Sequence, residues 1–214
     1  MDGTDDRAGV RETYERIGAH FAATREYPWP EVESFCADRR AACALDVGCG
    51  NGRHTELLAE RADRVVGLDV SGELLSIARE RVPSAAFLGG DATALPLRSD
   101  SVGLAVYVAT LHHVPGRELR RRSLDELARV LEPGGSAIVS AWSTAHDRFE
   151  ADEHEAGEGF DTEIDWTLPG GETVPRYYHI YAPRSFDADL EASGLSVDRS
   201  FVSSGNCYAV VGSE

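Results

Sequence analysis

The sequence predicts an α/β fold with a doubly wound, mostly parallel sheet, and three observations carry that expectation. Short apolar strands alternate with helical patterns from Cys43 to Trp142. The first strand, Cys43 to Val47, runs into glycines at alternate positions in Leu45-Asp46-Val47-Gly48-Cys49-Gly50-Asn51-Gly52. A helical pattern with Leu57 and Leu58 then leads to a second apolar strand, Arg64 to Leu68, closing on Asp69. Strand, glycine loop, helix, strand and acid are the parts of a nucleotide-binding βαβ unit. The glycines let the backbone pass close to a ligand, and the acid can take both hydroxyls of a ribose. A dinucleotide fold wants glycine at the first, third and sixth loop positions. Here the sixth is Arg53, and glycine falls on the fifth, Gly52.

The remaining elements follow from periodicity. Val10, Tyr14, Ile17 and Phe21 lie at helical spacing within 8–24, an amphipathic helix expected to cover the ligand site. Pro28-Trp29-Pro30 opens a second helix through about Asp38, so 8–40 forms an N-terminal helical segment. Ser71 is placed to cap a helix carrying Leu74, Leu75 and Ala78. Ala85–Leu88 is a third short strand and Val102–Val108 a fourth. Arg117 to Val130 is a helix with Leu124, Leu127 and Leu131 towards the core. Residues 145–175 are polar, rich in glycine and acids, and read as a mobile insertion near the substrate. Ser185–Ser193 predicts a helix, and Leu195–Val202 with Asn206–Val211 a strand pair within a C-terminal segment, 176–214. A chain of 214 residues without repeats is most simply one domain, 1–214.

No apolar run reaches the length of a membrane span, and the N-terminus has no signal-peptide apolar region, so a soluble, cytoplasmic protein with no membrane partner is expected. Cys36, Cys43, Cys49 and Cys207 form no CxxC pair, which argues against a metal site. The net charge is −16, and every basic side chain is an arginine. Nucleic-acid enzymes normally carry a basic patch. Acid excess without lysine resembles proteins of halophiles, and at about 1 M salt the Debye length is about 3 Å. In such salt local arginines matter more than the total.

The glycine loop with Gly52 in fifth place resembles motif I of the S-adenosylmethionine (AdoMet)-dependent class I methyltransferases. Further landmarks agree: Gly90-Asp91-Ala92 after the third strand, Leu95-Pro96-Leu97, the strand to Val108, and Leu131-Glu132-Pro133-Gly134-Gly135 before the fifth strand. The resemblance implies AdoMet as cofactor and a seven-stranded sheet whose last two strands come from the tail, one of them antiparallel. It also implies cofactor contacts at Gly48, Gly50 and Val108. Asp46 would face the methionine amino group, Asp69 the ribose, and Asp91 and Ala92 the adenine.

Segments outside that core resemble the tRNA methyltransferases that esterify 5-carboxymethyluridine at the wobble position. They are Thr24-Arg25-Glu26-Tyr27-Pro28-Trp29-Pro30, Val108-Ala109-Thr110-Leu111-His112-His113, Arg117-Glu118-Leu119-Arg120-Arg121-Arg122, and the run from Pro169 through Arg176-Tyr177-Tyr178-His179. The likeness covers nearly the whole chain. Thr110-Leu111 departs from the usual β-branched pair, and the segment near 145–165 is shorter and more acidic. The resemblance implies binding of a tRNA anticodon loop. It also implies a heterodimer with a small zinc-binding activator that adds a strand beside the third strand, at one end of the sheet.

A carboxylate is already a nucleophile at neutral pH, so forming its methyl ester needs orientation and partial desolvation rather than a strong base. Candidates for gripping the anion are Arg25 and Arg176. Trp29, Tyr177 and Tyr178 are candidates for stacking on the base, and His112 or His113, with His112 preferred, for a hydrogen bond. Tyr178 faces away from Tyr177 on a strand, so only one side of that segment can line a pocket. Trp29 can equally be packing, and Arg117, Arg120, Arg121 and Arg122 can be a solvated face or a phosphate contact. Two other functions stay open: a quinone- or sterol-type methyltransferase, which needs a greasy acceptor pocket, and a non-catalytic AdoMet-binding subunit.

Overall fold

The computed structural model describes residues 3–149 and 158–213. In chain order its helices are α1 (Gly3–Ala22), α2 (Pro30–Cys36), α3 (Arg53–Ala59), α4 (Gly72–Arg81), α5 (Arg117–Val130) and α6 (Pro183–Glu191). Its strands are β1 (Ala41–Val47), β2 (Ala62–Asp69), β3 (Ala86–Gly89), β4 (Val102–Tyr107), β5 (Leu131–Trp142), β6 (Phe160–Thr167), β7 (Thr173–Ile180), β8 (Ser196–Ser203) and β9 (Asn206–Gly212). Seven strands form one sheet in the order β3-β2-β1-β4-β5-β9-β8. The first five run parallel, and β9 is antiparallel to both of its neighbours. The doubly wound, mostly parallel seven-stranded sheet expected from the sequence is therefore present, with β3 at one edge.

Period-two alternation sends side chains to both faces of this sheet. Leu45, Val47, Ala105 and Tyr107 pack with Leu124, Leu127 and Val130 of α5 and Phe186 and Leu190 of α6. Ala44, Leu104 and Val106 pack the other way, against Val32, Phe35 and Cys36 of α2 and Leu58 of α3. The strand order reverses between β1 and β4, and open α/β sheets bind ligands beyond the C-terminal ends of the strands at such a point.

The segment 145–175 corrects the expectation of a mobile insertion. Its second half is an antiparallel hairpin, β6 on β7, with Phe160 opposite Ile180 and Thr167 opposite Thr173. Along β6, Ile164 is buried and Phe160, Thr162 and Trp166 are half-buried, while Asp161, Glu163, Asp165 and Thr167 point to solvent. That is a strand pattern, obscured in the sequence by its acids. Residues 150–157 of the segment lie outside the described residues. The hairpin packs on α1, with Trp166 and Val174 against the cluster of Tyr14, Ile17, Phe21 and Leu74.

α1 is docked by its apolar stripe and by polar bonds. Glu15 accepts from the Gly72 and Glu73 amides at 2.7 and 3.1 Å, capping α4 from outside it. Ser71 caps the same helix from within, accepting from Leu74 N at 3.2 Å. Ile17 is fully buried in this seam. Ile17→Ala should cost about 2–5 kcal/mol of stability. Hydrogen exchange should quicken first along α1 and leave β1 and β4 protected. Unchanged protection of α1 would contradict its dependence on this anchor.

Candidate functional site

A cavity of about 730 Å³ lies at the ends of β1, β2, β3 and β4, roofed by α1. The volume falls in the usual range for small-molecule sites, roughly 300–1,000 Å³. Its floor is the glycine loop. Gly48 has φ +70, and a Cβ there would stand 2.1 Å from Thr110 Oγ1, so backbone conformation and space both require glycine. Beside Gly50 a Cβ would meet nothing within 4 Å: this side of the loop faces open cavity. Ala109, with φ 55, holds a strained left-handed conformation on the wall.

Asp69 closes β2 and is fixed by the backbone on two sides. One oxygen accepts from Gly50 N at 2.8 Å and the other from Ser71 N at 2.9 Å. Burial raises its pKa, and these amides pull it down. Asp91 follows the neighbouring strand β3 and is held by accepting from Thr93 N and Thr93 Oγ1 at 2.8 Å. Arg7 of α1 reaches it at 3.0 Å. Gly48, Gly50, Asp69, Asp91, Ala92 and Val108 thus line one cavity. Of its two acids, Asp69 closes β2 and Asp91 follows the neighbouring strand β3, and Gly48 and Gly50 raise no side chain from the floor, an arrangement that fits AdoMet. Asp46 is placed differently. It is buried behind the loop, accepts from Thr55 Oγ1 at 2.6 Å and does not line the cavity. Burial pushes its carboxyl up to about 7, opposed by Thr55 and Arg53.

Between the two histidines the geometry reverses the sequence preference. His112 is buried, takes the Trp142 amide on Nδ1 at 3.0 Å and stacks on Tyr178 with ring centroids 5.0 Å apart. His113 lines the cavity. Its Nδ1 lies 2.9 Å from the Tyr177 carbonyl, which only accepts, so Nδ1 carries the proton. Nε2, 2.8 Å from Tyr14 Oη, is then the acceptor of the tyrosine hydroxyl. Burial pushes His113 down to about 3, and it is neutral. Tyr14, which the sequence puts on a helix expected to cover the ligand site, is thus a wall residue.

Arg25 lines the cavity, its guanidinium 4.7 Å from the Phe21 ring centroid and 5.9 Å from that of Trp166. Arg176 lies behind Tyr14, buried, 4.9 Å from Trp166 and 5.1 Å from Tyr178, with Nε lacking a hydrogen-bond partner. Tyr177 faces the other side of β7, towards Asp161 and Arg120. Trp29 packs edge-on to His54 and Tyr208, and Tyr178 is in the core. In the arginine run, Arg117 and Arg121 both bond buried Asp189 at 2.8 Å, and Arg120 is buried over Tyr181. Of the four, Arg120 alone is buried; Arg117 and Arg121 hold a buried carboxylate from the surface, their side chains 51% and 39% exposed. Arg7, Asn51 and Trp166 were missed. Asn51 bonds the carbonyls of Ala22 and Arg25 at 3.1 and 2.7 Å, a role across sequence that no local pattern marks.

These buried groups set an acid dependence. His54 and His113 are held down to about 3 and His112 well below its usual value, each chiefly by burial. They take protons only on unfolding, so their contribution is lost as pH falls below about 6.5. Asp46 and Asp69 have raised pKa values and the opposite sign. The Asp46 contribution is complete below its ordinary 3.8 and lost as pH rises through about 7. Three groups oppose two, so the urea midpoint should fall on acidification from about pH 6.5 to 4. Asp46→Asn should steepen that fall; a wild-type midpoint that rises over this range contradicts the assignment.

Residues 45–139 match the family described as "Methyltransferase domain". A putative methyltransferase of Encephalitozoon cuniculi is 31% identical over 201 residues, 90% of this chain and 92% of that protein. The tRNA (carboxymethyluridine(34)-5-O)-methyltransferase of Saccharomyces cerevisiae is 32% identical over 169 residues, 78% of this chain and 59% of its own. Its mouse counterpart is 38% identical over 135 residues, 63% of this chain and 20% of the relative. The chain therefore spans only a part of these last two proteins. Among solved structures, an AdoMet-dependent methyltransferase from Methanosarcina mazei superposes with TM-score 0.67 at 20% identity, over 87% of this chain and 98% of the other. A putative methyltransferase solved in complex with an activator protein from Haloferax volcanii superposes with TM-score 0.70 at 17% identity, over 95% and 97%. With its sheet order, its glycine floor and these relatives together, the chain belongs to the class I AdoMet-dependent methyltransferase family that includes the tRNA carboxymethyluridine methyltransferases.

Proposed function

We propose that this chain methylates the carboxylate of 5-carboxymethyluridine at the wobble position of tRNA, giving the methyl ester. One observation carries the reading. Two guanidiniums, Arg25 and Arg176, flank the Trp166 indole beside the cavity, and among the described residues neither has a carboxylate partner. Arg25 has its pKa lowered by burial first and also by repulsion from Arg176. Arg176 is buried and Arg25 half-buried, and such cations left without a counter-ion stabilise an anion that arrives. A greasy acceptor is disfavoured by the same wall, which carries Arg7, Arg11, Arg25 and Arg53.

Bound AdoMet supplies a methyl group on a cationic sulfur, so a carboxylate oxygen can take it without a proton moving. The protein side is consistent with that economy. His113 is neutral, with one nitrogen donating to a carbonyl and the other occupied by Tyr14. It stands as a positioning element, not a base. Asp69 and Asp91 hold the cofactor's hydroxyl-bearing and adenine ends, and Arg25 orients the acceptor carboxylate, with Arg176 adding to the field from behind. Position 34 lies in a single-stranded loop, so the base enters without opening a duplex. The acid-rich, lysine-free composition suits a cytoplasm of high salt.

The direct test is the chain co-purified with the activator proposed below, given methyl-labelled AdoMet and tRNA carrying 5-carboxymethyluridine. A base-labile label at position 34 is expected, and label on quinones but not on tRNA defeats the reading. Arg25→Ala should lose transfer with nearly unchanged AdoMet affinity. Asp69→Ala should do the reverse first, weakening AdoMet by roughly 1.5–3 kcal/mol in isothermal titration. Equal loss of AdoMet binding in both variants would place Arg25 in the cofactor site instead.

The reading extends to a partner. β3 is short, apolar and at the sheet edge, with Ala86 and Gly89 exposed. An unpaired edge accepts an added strand. A small zinc-binding activator is the proposed occupant, as one-to-one heterodimer. Co-expression followed by size-exclusion chromatography should give the complex, and the chain alone should be poorly soluble or nearly inactive. A soluble, fully active monomer with no affinity for the activator overturns this part.

A further inference from the structure

Arg53 stands where a dinucleotide loop has its last glycine. It is the first residue of α3, and its side chain folds back over the Trp29 ring, 5.1 Å from the centroid. Nη1 reaches the Tyr27 carbonyl at 3.4 Å, at the long end of hydrogen bonding. Arg53 also lines the cavity, as Arg25 does from the same side. Its own pKa is pushed down to about 10 by burial first and then by neighbouring Arg25. Among the described residues no carboxylate pairs with it.

The loop it touches, residues 23–29 between α1 and α2, is pinned from beneath. Asn51 Nδ2 and Arg81 Nη1 both donate to the Arg25 carbonyl, at 2.7 and 3.4 Å, and Arg81 Nη2 donates to the Glu26 carbonyl at 2.6 Å. On this fixed loop Tyr27 is 71% exposed. The other large apolar side chains exposed among the described residues are Val197 and Val202 of β8, on the far sheet edge. An exposed aromatic residue whose carbonyl meets a cavity-lining cation without a carboxylate partner matches the two needs of single-stranded nucleic acid: a face for a base and a charge for a phosphate.

We infer that Tyr27 and Arg53 form a nucleotide-binding lip on the cavity, where Tyr27 stacks on a base flanking the acceptor nucleoside and Arg53 takes the adjoining phosphate. This rests on the reading of an RNA substrate and adds to it a contact that touches neither the cofactor nor the reacting carboxylate. Glu26 sits beside this lip and raises the Tyr27 pKa, by a side-chain hydrogen bond first and by its charge second. Its carboxylate repels a phosphate, so the phosphate is taken on the Arg53 side.

The test uses the full chain and a fluorescent synthetic anticodon stem-loop without the carboxymethyl group, with anisotropy read over a salt series. Tyr27→Ala should weaken RNA binding about ten-fold or more. Tyr27→Phe, which keeps the ring, should stay near wild type, and AdoMet affinity by titration should not move in either. Arg53→Gln should lower the slope of log affinity against log salt by about 0.7, the signature of one lost phosphate on a single strand. Unchanged binding by Tyr27→Ala, or equal loss in Tyr27→Phe, overturns the stacking assignment. Loss of AdoMet affinity in Arg53→Gln with an unchanged salt slope overturns the phosphate assignment. A wild type that methylates and binds tRNA while these variants bind equally well defeats the inference alone. A wild type that binds no RNA defeats the substrate reading and this inference with it.

Discussion

Three segments of the chain meet on the Asp69 carboxylate. One oxygen holds Gly50 of the glycine loop and the other holds Ser71, which begins α4. The loop can approach because Gly48 has no side chain to strike Thr110, and its backbone takes a conformation other residues rarely hold. Desolvation of this carboxylate works against folding, and two backbone amides offset it. Without them the floor of the cavity would have neither its shape nor its acid in place, and the walls that stand on it would lose their reference.

The next layer is built on α1, which belongs to the cavity as much as the sheet does. Ser71 Oγ donates to the Tyr14 carbonyl, Glu15 caps α4, and Arg7 reaches Asp91. Asn51 of the glycine loop then fixes the end of α1 and the carbonyl of Arg25. The glycine loop and the segment carrying Arg25 are therefore joined by two short hydrogen bonds to the backbone.

Charge is arranged locally against the sign of the whole. The chain carries a net −16, yet the cavity wall presents arginines. Elsewhere its arginines are often neutralised, as where Arg117 and Arg121 share Asp189. Those pairs tie helices together. The unpaired ones lie against aromatic rings, which lower the cost of desolvating a guanidinium without cancelling its charge. Rings in place of carboxylates leave the positive potential of these guanidiniums uncancelled.

The sequence by itself determined the sheet, its strand order through the family pattern, and the cofactor floor. These depend on local signals: apolar period, glycine spacing, the Ser71 cap, and an acid at the end of a strand. Gly48, Gly50, Asp69, Asp91, Ala92 and Val108 could be named because each sits at a fixed step from such a signal. The hairpin of β6 and β7 was also written there, in Ile164 and Trp166 alternating with acids, but the density of charge masked it. Only the tertiary structure decided which side chains share the cavity. His112 and His113 are neighbours in sequence, and a short 3-10 turn over Leu111–His113 sends one into the core and the other to the wall. Arg176 and Tyr177 are parted by the pleat of a strand. Asp46 is one step from the loop yet turned behind it. Tyr14 reaches His113 across 99 residues, and Asn51 reaches Ala22 across 29. Such contacts come from how α1 and the hairpin lie on the sheet, and packing of whole elements leaves no trace in the spacing of any one segment.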